Sequence, residues 1–279
     1  MPISKKVFWP IFAIVFVIIT VFIFNSIYYS KIVKALDEAG IDTSGLSKKD
    51  IMSLISVEKS DIEVHDNVYT CEKDDSVKSR AYIILLGFKN HDKNTFVNET
   101  ALMEKNPNVK GIFTYDYNEN LTLDEISVEF ILQANAFISE MELDELIIIG
   151  SSAGGNVAVN SIDNISFDGE IELHTIASPL NGYGLKGIKE RLIGERDGLE
   201  REIAYGFEPF KITRENIKTY HHKTVEDESL LSKCGAFVKI CNTLQIQNNN
   251  VEGSKDFYYQ DRDHKTIMNE VIGKIIDCH

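Results

Sequence analysis

The stretch LDELIIIGSSAGGNVAVN, residues 143–160, decides the fold. It opens on the apolar run Leu146 to Ile149, breaks into Gly150, Ser151, Ser152, Ala153, Gly154 and Gly155, and resumes with a helical pattern. An apolar run bounded by glycine reads as a strand buried on both faces. Residues 150–154 fit G-x-S-x-G, in which a serine stands on a sharp strand-to-helix turn and glycines remove β-carbons that would collide across the bend. The pentapeptide alone is a weak match. Its place between LIII and NVAVNSI supplies the strand before and the helix after that the motif demands. Ser152 would then project from the top of a sheet, facing a helix whose first N–H groups are free for a developing negative charge. The bland alternative is a Gly/Ser turn in an ordinary parallel sheet.

Outward from this turn, buried strands alternate with helical patterns. AYIILLGF (81–88) and VKGIFTYDY (109–117) are apolar runs of the same kind, with a helix predicted in NTFVNETALMEKN (94–106) between them. A long amphipathic helix is expected over Leu123 to Met141, opened by Thr122 with Glu125 three residues on. GEIELHTIAS (169–178) and NIKTYHHKTV (216–225) complete five strands of an α/β sheet, and Asp61 to Cys71 reads as an edge hairpin. Strands separated by helices pair in parallel through crossovers, which covers both faces, and ligands of such sheets sit at the carboxyl ends of the strands.

The amino terminus is read separately. Residues 1–6 form a short tail with Lys5 and Lys6, and 7–29 is an uncharged apolar segment long enough to cross a bilayer, which needs about 20 residues. The run exceeds the usual signal-peptide core of about 7 to 15 residues and no A-x-A-like site follows it, which favours a retained transmembrane anchor over a cleaved signal. Lys31 and Lys34 nearly balance Lys5 and Lys6, so orientation is weakly marked; a cytoplasmic tail with the domain outside is favoured. Residues 30–60 are expected to be a helical juxtamembrane spacer, and 61–279 the globular domain.

The 279 residues carry 43 acidic and 29 basic side chains, a net charge of -14 that disfavours nucleic-acid binding. There is no P-loop, no internal repeat and no metal-type Cys/His spacing, so neither a cofactor nor a metal is expected. Four cysteines permit three pairings. Cys71 with Cys278 would tie the ends of the domain together, Cys234 with Cys241 would close a small loop, and buried free thiols remain the alternative.

From about Arg80 to His279 the chain resembles the α/β-hydrolase fold family, and within it the serine esterases and lipases, through GSSAGG, HTIASPLNGYG and DRDHKTIM. The resemblance implies a mostly parallel central sheet with helices on both faces and a lid insertion. It also implies a Ser, acid, His triad in that chain order and an acyl-enzyme intermediate. Ser152 takes the place of the nucleophile.

Its base must be a histidine in a loop after a late strand. His174, His221 and His222 lie inside strands, where satisfied core positions suit them; His65 precedes the sheet; His279 is terminal and expected to be mobile. His264 remains, in the polar loop of DFYYQDRDHKTIMNEVIGKII, where the resemblance places the base, with a polar helix cap as its bland reading. For the acid, Glu226, Asp227 and Glu228 follow the fifth strand. The resemblance favours Asp227, with Asp256 in reserve; Asp261 and Asp263 stand too close to His264 in sequence to fold back on it.

One oxyanion donor is expected at the backbone of Ala153 and the other at Phe88, with Lys89 as alternative. The family's H-G signature is missing; Gly87-Phe88-Lys89-Asn90-His91 stands there instead, so this half of the hole is inferred from position, and His91 either lines the pocket or is an exposed loop residue. Residues 180–215 read as a lid, hinged at Gly182, Gly184 and Gly187, whose Leu192, Ile193, Leu199 and Ile203 make only a modest apolar face. That weakens a lipase relative to a hydrolase of soluble or moderately sized acyl esters. The expected function is hydrolysis of a small-molecule or lipid-like carboxylic ester at a membrane. An acyltransferase or thioesterase with the same triad is the first alternative, and a catalytically inactive binding module of this fold is the second.

Overall fold

The computed structural model describes residues 29–30, 33, 44–48, 67–71, 78–88, 100–101, 103–182, 198–224, 227 and 251–279. Six strands form one sheet: β1 (Arg80–Leu85), β2 (Val109–Tyr115), β3 (Glu145–Ser151), β4 (Glu170–Ile176), β5 (Ile217–Thr224) and β6 (Lys255–Tyr259). The spatial order is β2-β1-β3-β4-β5-β6 and every neighbouring pair is parallel. β1 and β3, the apolar runs, are buried along their whole length, whereas the edge strands β2 and β6 are only partly buried. The first five strands are those expected, and β6 is a short sixth strand ahead of His264.

Helices cover both faces. α1 (Leu123–Ser139) and α2 (Ala153–Ser161) sit on one, where Phe130, Ala134 and Val157 pack over Ile83, Leu85, Ile148 and Leu173. α4 (His264–Cys278) covers the other, laying Ile267, Met268, Val271, Ile272 and Ile275 over Tyr82, Ile84, Ile147 and Ile149. The spacing of those five residues is the period of a helix with one buried stripe. α1 starts at the expected capping box: the Thr122 hydroxyl accepts from Glu125 N–H, and the Glu125 carboxylate accepts from Thr122 N–H at 2.9 Å. It stops at Ser139, two residues short of the expected end.

Cys71 and Cys278 form a disulfide with Cα atoms 5.9 Å apart, one of the expected pairings. Cys234 and Cys241 lie outside the described residues. Asn67 makes an antiparallel bridge to Tyr258, so the described part of the expected edge hairpin pairs with β6. Between β1 and β2, Thr100, Ala101 and Met103 are helical as expected; residues 91–99 lie outside the described set.

His279 differs from expectation. Its carbonyl accepts from Asn106 Nδ2 at 2.9 Å and from Arg80 Nη1, and its imidazole lies 3.3 Å from Glu172 and 3.7 Å from Glu145. A terminal residue with this many polar partners is fixed, not mobile.

In the insertion after β4, residues 183–197 lie outside the described set, and α3 (Gly198–Tyr205) follows. Leu199 and Ile203 are fully buried in the α1/α2 core, so these two residues of the expected lid face serve packing; Leu192 and Ile193 lie outside the described residues. Among the described residues no helix is long and apolar enough to cross a membrane; apart from Tyr29, the apolar segment 7–29 lies outside them. Tyr29, the last residue of the expected anchor, and Val33 of the expected spacer pack against the α1/α2 core.

Candidate active site

The β3–α2 junction is the bend that the glycines predict. Ser152 has φ 50° and ψ -127°, and its N–H donates to Ile176 O at 2.9 Å. A left-handed backbone at a residue with a β-carbon costs about 1–3 kcal/mol and persists only where its surroundings enforce it. They do so through close backbone approach. A β-carbon on Gly150 would meet Gly155 Cα at 2.6 Å, and one on Gly154 would meet Leu86 O at 2.6 Å. The second contact sets the start of α2 directly against the end of β1, the strand that runs on to Phe88. Ala153, buried, opens α2, and its N–H is one of the first-turn donors that have no intrahelical acceptor.

All non-glycine residues of positive φ among the described residues stand at this same edge. Ala177 (φ 48°) follows β4 and Asp261 (φ 54°) follows β6, alongside Ser152 after β3. No glycine marks Ala177 or Asp261, so sequence offers no signal for them. Strain gathered at the carboxyl ends of three strands singles out that edge of the sheet.

Asp227 stands three residues past β5 and is 1% exposed. Its Oδ2 lies 2.5 Å from His264 Nδ1. With Nδ1–H donating to the carboxylate, Nε2 keeps its lone pair and the imidazole is set to accept a proton there. His264 is the first residue of α4, whose N-cap Asp263 accepts from Thr266 N–H at 2.7 Å. The structure thus pairs His264 with Asp227 from among the acids the sequence leaves open. Asp256 is occupied on β6, where it meets Lys223 Nζ at 2.6 Å and accepts from the Ser254 hydroxyl at 2.9 Å. Burial lowers the Lys223 pKa, and Asp256 opposes that shift. Glu226, Glu228, Lys89 and His91 lie outside the described residues. Phe88 is partly buried, with its ring against the α1/α2 core.

The three inner histidines are core residues, as expected. His221 Nδ1 lies 2.6 Å from the Thr175 hydroxyl, and His174 and His222 face one another at 3.2 Å. Sequence reasoning does not find the charged group at the opposite edge. There Glu145, Glu170 and Glu172 form the one metal-type donor cluster among the described residues, but Lys78 lies 3.6 Å from Glu145, Arg80 lies 3.2 Å from it, and Lys218 pairs with Glu170. Resident cations already balance these carboxylates.

No protein-family model and no curated protein matches the chain. Solved structures do. The mature lipase BlEst2 of Bacillus licheniformis superposes at a TM-score of 0.53 and 12% identity, over 76% of this chain and 97% of that one. Est1E from Butyrivibrio proteoclasticus gives 0.43 and 14%, over 73% and 89%. The esterase EaEST from Exiguobacterium antarcticum gives 0.43 and 12%, over 71% and 92%. Of these three, the lipase superposes above 0.5 and establishes the shared architecture: the chain has the α/β-hydrolase fold.

Proposed function

We propose that the protein is a serine hydrolase cleaving carboxylic esters through an acyl-enzyme, held at a membrane by residues 7–29. The observation that carries the reading is Ser152 on a strained strand-to-helix turn, at the sheet edge where Asp227 holds His264 in the tautomer of a general base. Ser152 Oγ attacks the ester carbonyl while its proton passes to His264 Nε2. The carbonyl π pair moves onto oxygen, where the N–H groups of Ala153 and Phe88 would receive it. Collapse of the tetrahedral intermediate breaks the bond to the alkoxide, which takes the proton from His264. Water, activated by the same imidazole, then releases the acid and restores Ser152. The sequence needs no cofactor or metal.

The anchor and the placement of the domain outside the membrane belong to the same proposal. They are supported by the uncharged segment 7–29 and by the Cys71–Cys278 disulfide, which suits an oxidising compartment. The net charge of -14 speaks against a nucleic-acid partner.

Stopped-flow turnover of a short p-nitrophenyl ester tests the reading. We expect a burst of p-nitrophenol approaching one equivalent, absent in Ser152→Ala, and a rate that declines as pH falls into the range where imidazoles protonate. Unchanged turnover by Ser152→Ala would refute the assignment.

A further inference from the structure

Asp227 and His264 reach one another from two loops, and the loops must be kept in step for their hydrogen bond to form. β5 and β6 are adjacent and in register, Thr224 opposite Tyr259. Thr224 ends β5 three residues before Asp227, and Arg262 stands two residues before His264. The Thr224 hydroxyl donates to the Arg262 carbonyl at 2.5 Å, and Thr224 is only 6% exposed. That carbonyl precedes the N-cap Asp263 and so lies outside the hydrogen-bond ladder of α4. The Arg262 side chain is tied in turn: its Nε donates to Glu270 on α4 at 2.8 Å, and Glu270 also receives Lys274 Nζ at 2.9 Å. The turn so held contains Asp261 at φ 54°, a conformation that needs outside support.

Two rungs therefore join the loops, Thr224 to Arg262 at the strand ends and Asp227 to His264 at the tips. We infer that Thr224 is a positioning residue for the Asp227–His264 pair, its hydroxyl fixing the backbone of the base-bearing loop to the strand that delivers the acid. The inference rests on the serine-hydrolase reading. Its physical basis is the steep dependence of proton transfer on geometry: a displacement of about 1 Å can cost about a hundredfold in rate, while one lost hydrogen bond costs stability only modestly.

The test uses the full chain and measures the bimolecular rate of Ser152 labelling by a fluorophosphonate, kcat and KM for a short p-nitrophenyl ester, and melting temperature. Thr224→Val keeps the shape and removes the donor; we expect labelling and kcat to fall about tenfold with KM within about twofold. Thr224→Ser restores the donor and should return both to within about threefold of the parent. In an Asp227→Asn background Thr224→Val should cost less than about twofold, because the pair it orients is already broken. If Thr224→Val melts more than about 8 °C below the parent, Glu270→Gln is read instead; it loosens Arg262 at a partly exposed site and should slow labelling about threefold. Parental rates in the variant read overturn the inference, as does failure of Thr224→Ser to rescue or an undiminished loss in the Asp227→Asn background. Absence of labelling in the parent chain is a different outcome, which removes the serine-hydrolase reading and this inference with it.

Discussion

Among the described residues, two histidine–carboxylate assemblies stand in contrasting surroundings. At the carboxyl edge, His264 meets Asp227 at 2.5 Å and its side chain is 13% exposed. Beneath α4, His174 meets Glu172 at 3.4 Å and is wholly buried. The inner assembly has a single consistent arrangement of protons. The Tyr259 hydroxyl donates to His222 Nδ1 (3.3 Å), His222 Nε2–H to His174 Nδ1 (3.2 Å), and His174 Nε2–H to Glu172 (3.4 Å). Tyr69 closes over it, packing edge-on against His174, His222 and Phe257 and donating its N–H to the Tyr259 oxygen. Both ring nitrogens of His174 and of His222 find partners inside the core, so neither imidazole has a nitrogen left to reach a substrate. At the outer edge the His264 imidazole, the strained serine and the start of a helix lie on one rim of the sheet. A histidine beside a carboxylate is thus no sign of catalysis in itself; its surroundings decide between a packed network and a poised base.

Substitutions should separate the two. Ser152→Ala should remove ester turnover by about 10⁵-fold or more while leaving the melting temperature within a few degrees. Asp227→Asn, which leaves His264 without its anionic partner and disturbs its tautomer, should cost about 10³- to 10⁴-fold in kcat. Glu172→Gln, the matching change in the inner assembly, should leave kcat within about twofold and destabilise the domain by about 1–3 kcal/mol. A large kcat loss in Glu172→Gln with unchanged stability would erase the distinction.

Acid should unfold the protein through the inner assembly. Burial holds the His174 and His222 imidazoles below their ordinary value, so both are neutral in the fold. The unfolded chain binds protons at these rings below about pH 6.5, so stability declines as pH drops through that value. Glu172 enters lower down. Burial alone would raise its carboxyl, but contact with the His174 and His279 imidazoles outweighs burial and holds it at about 2 against an ordinary 4.5. Its contribution is present above about pH 4.5 and lost as pH falls toward 2. Melting temperature against pH should therefore fall in two stages, the second shrinking in Glu172→Gln; a profile flat from pH 7 to 3 would contradict this. The smallest effect is expected at α1, where Thr122→Ala should cost about 1 kcal/mol in chemical denaturation with kcat unchanged.

The difference between the assemblies also marks what the sequence can and cannot reveal. Apolar runs such as Leu146–Ile149 announce buried strands, and the glycines around Ser152 announce the bend, because each reflects a local steric demand. The Cys71–Cys278 pairing was one of three open to four cysteines. Asp227 stands in sequence between two glutamates, and its selection by His264 depends on loop geometry that residue types do not encode. The inner network was harder still. Glu172 and His174 alternate along β4 and look like residues of a half-polar strand; only the sheet brings His222 and Tyr259 beside them, and α4 the terminal His279. Leu199 and Ile203 look like a weak lid face until packing against α1 and α2 makes them core.

Intact-mass spectrometry of the folded full-length protein after exposure to a fluorophosphonate addresses the central claim most directly. The account predicts one covalent adduct per chain, mapped to Ser152 and absent from Ser152→Ala. A folded chain that gains no adduct, or one whose adduct persists in Ser152→Ala, would contradict it.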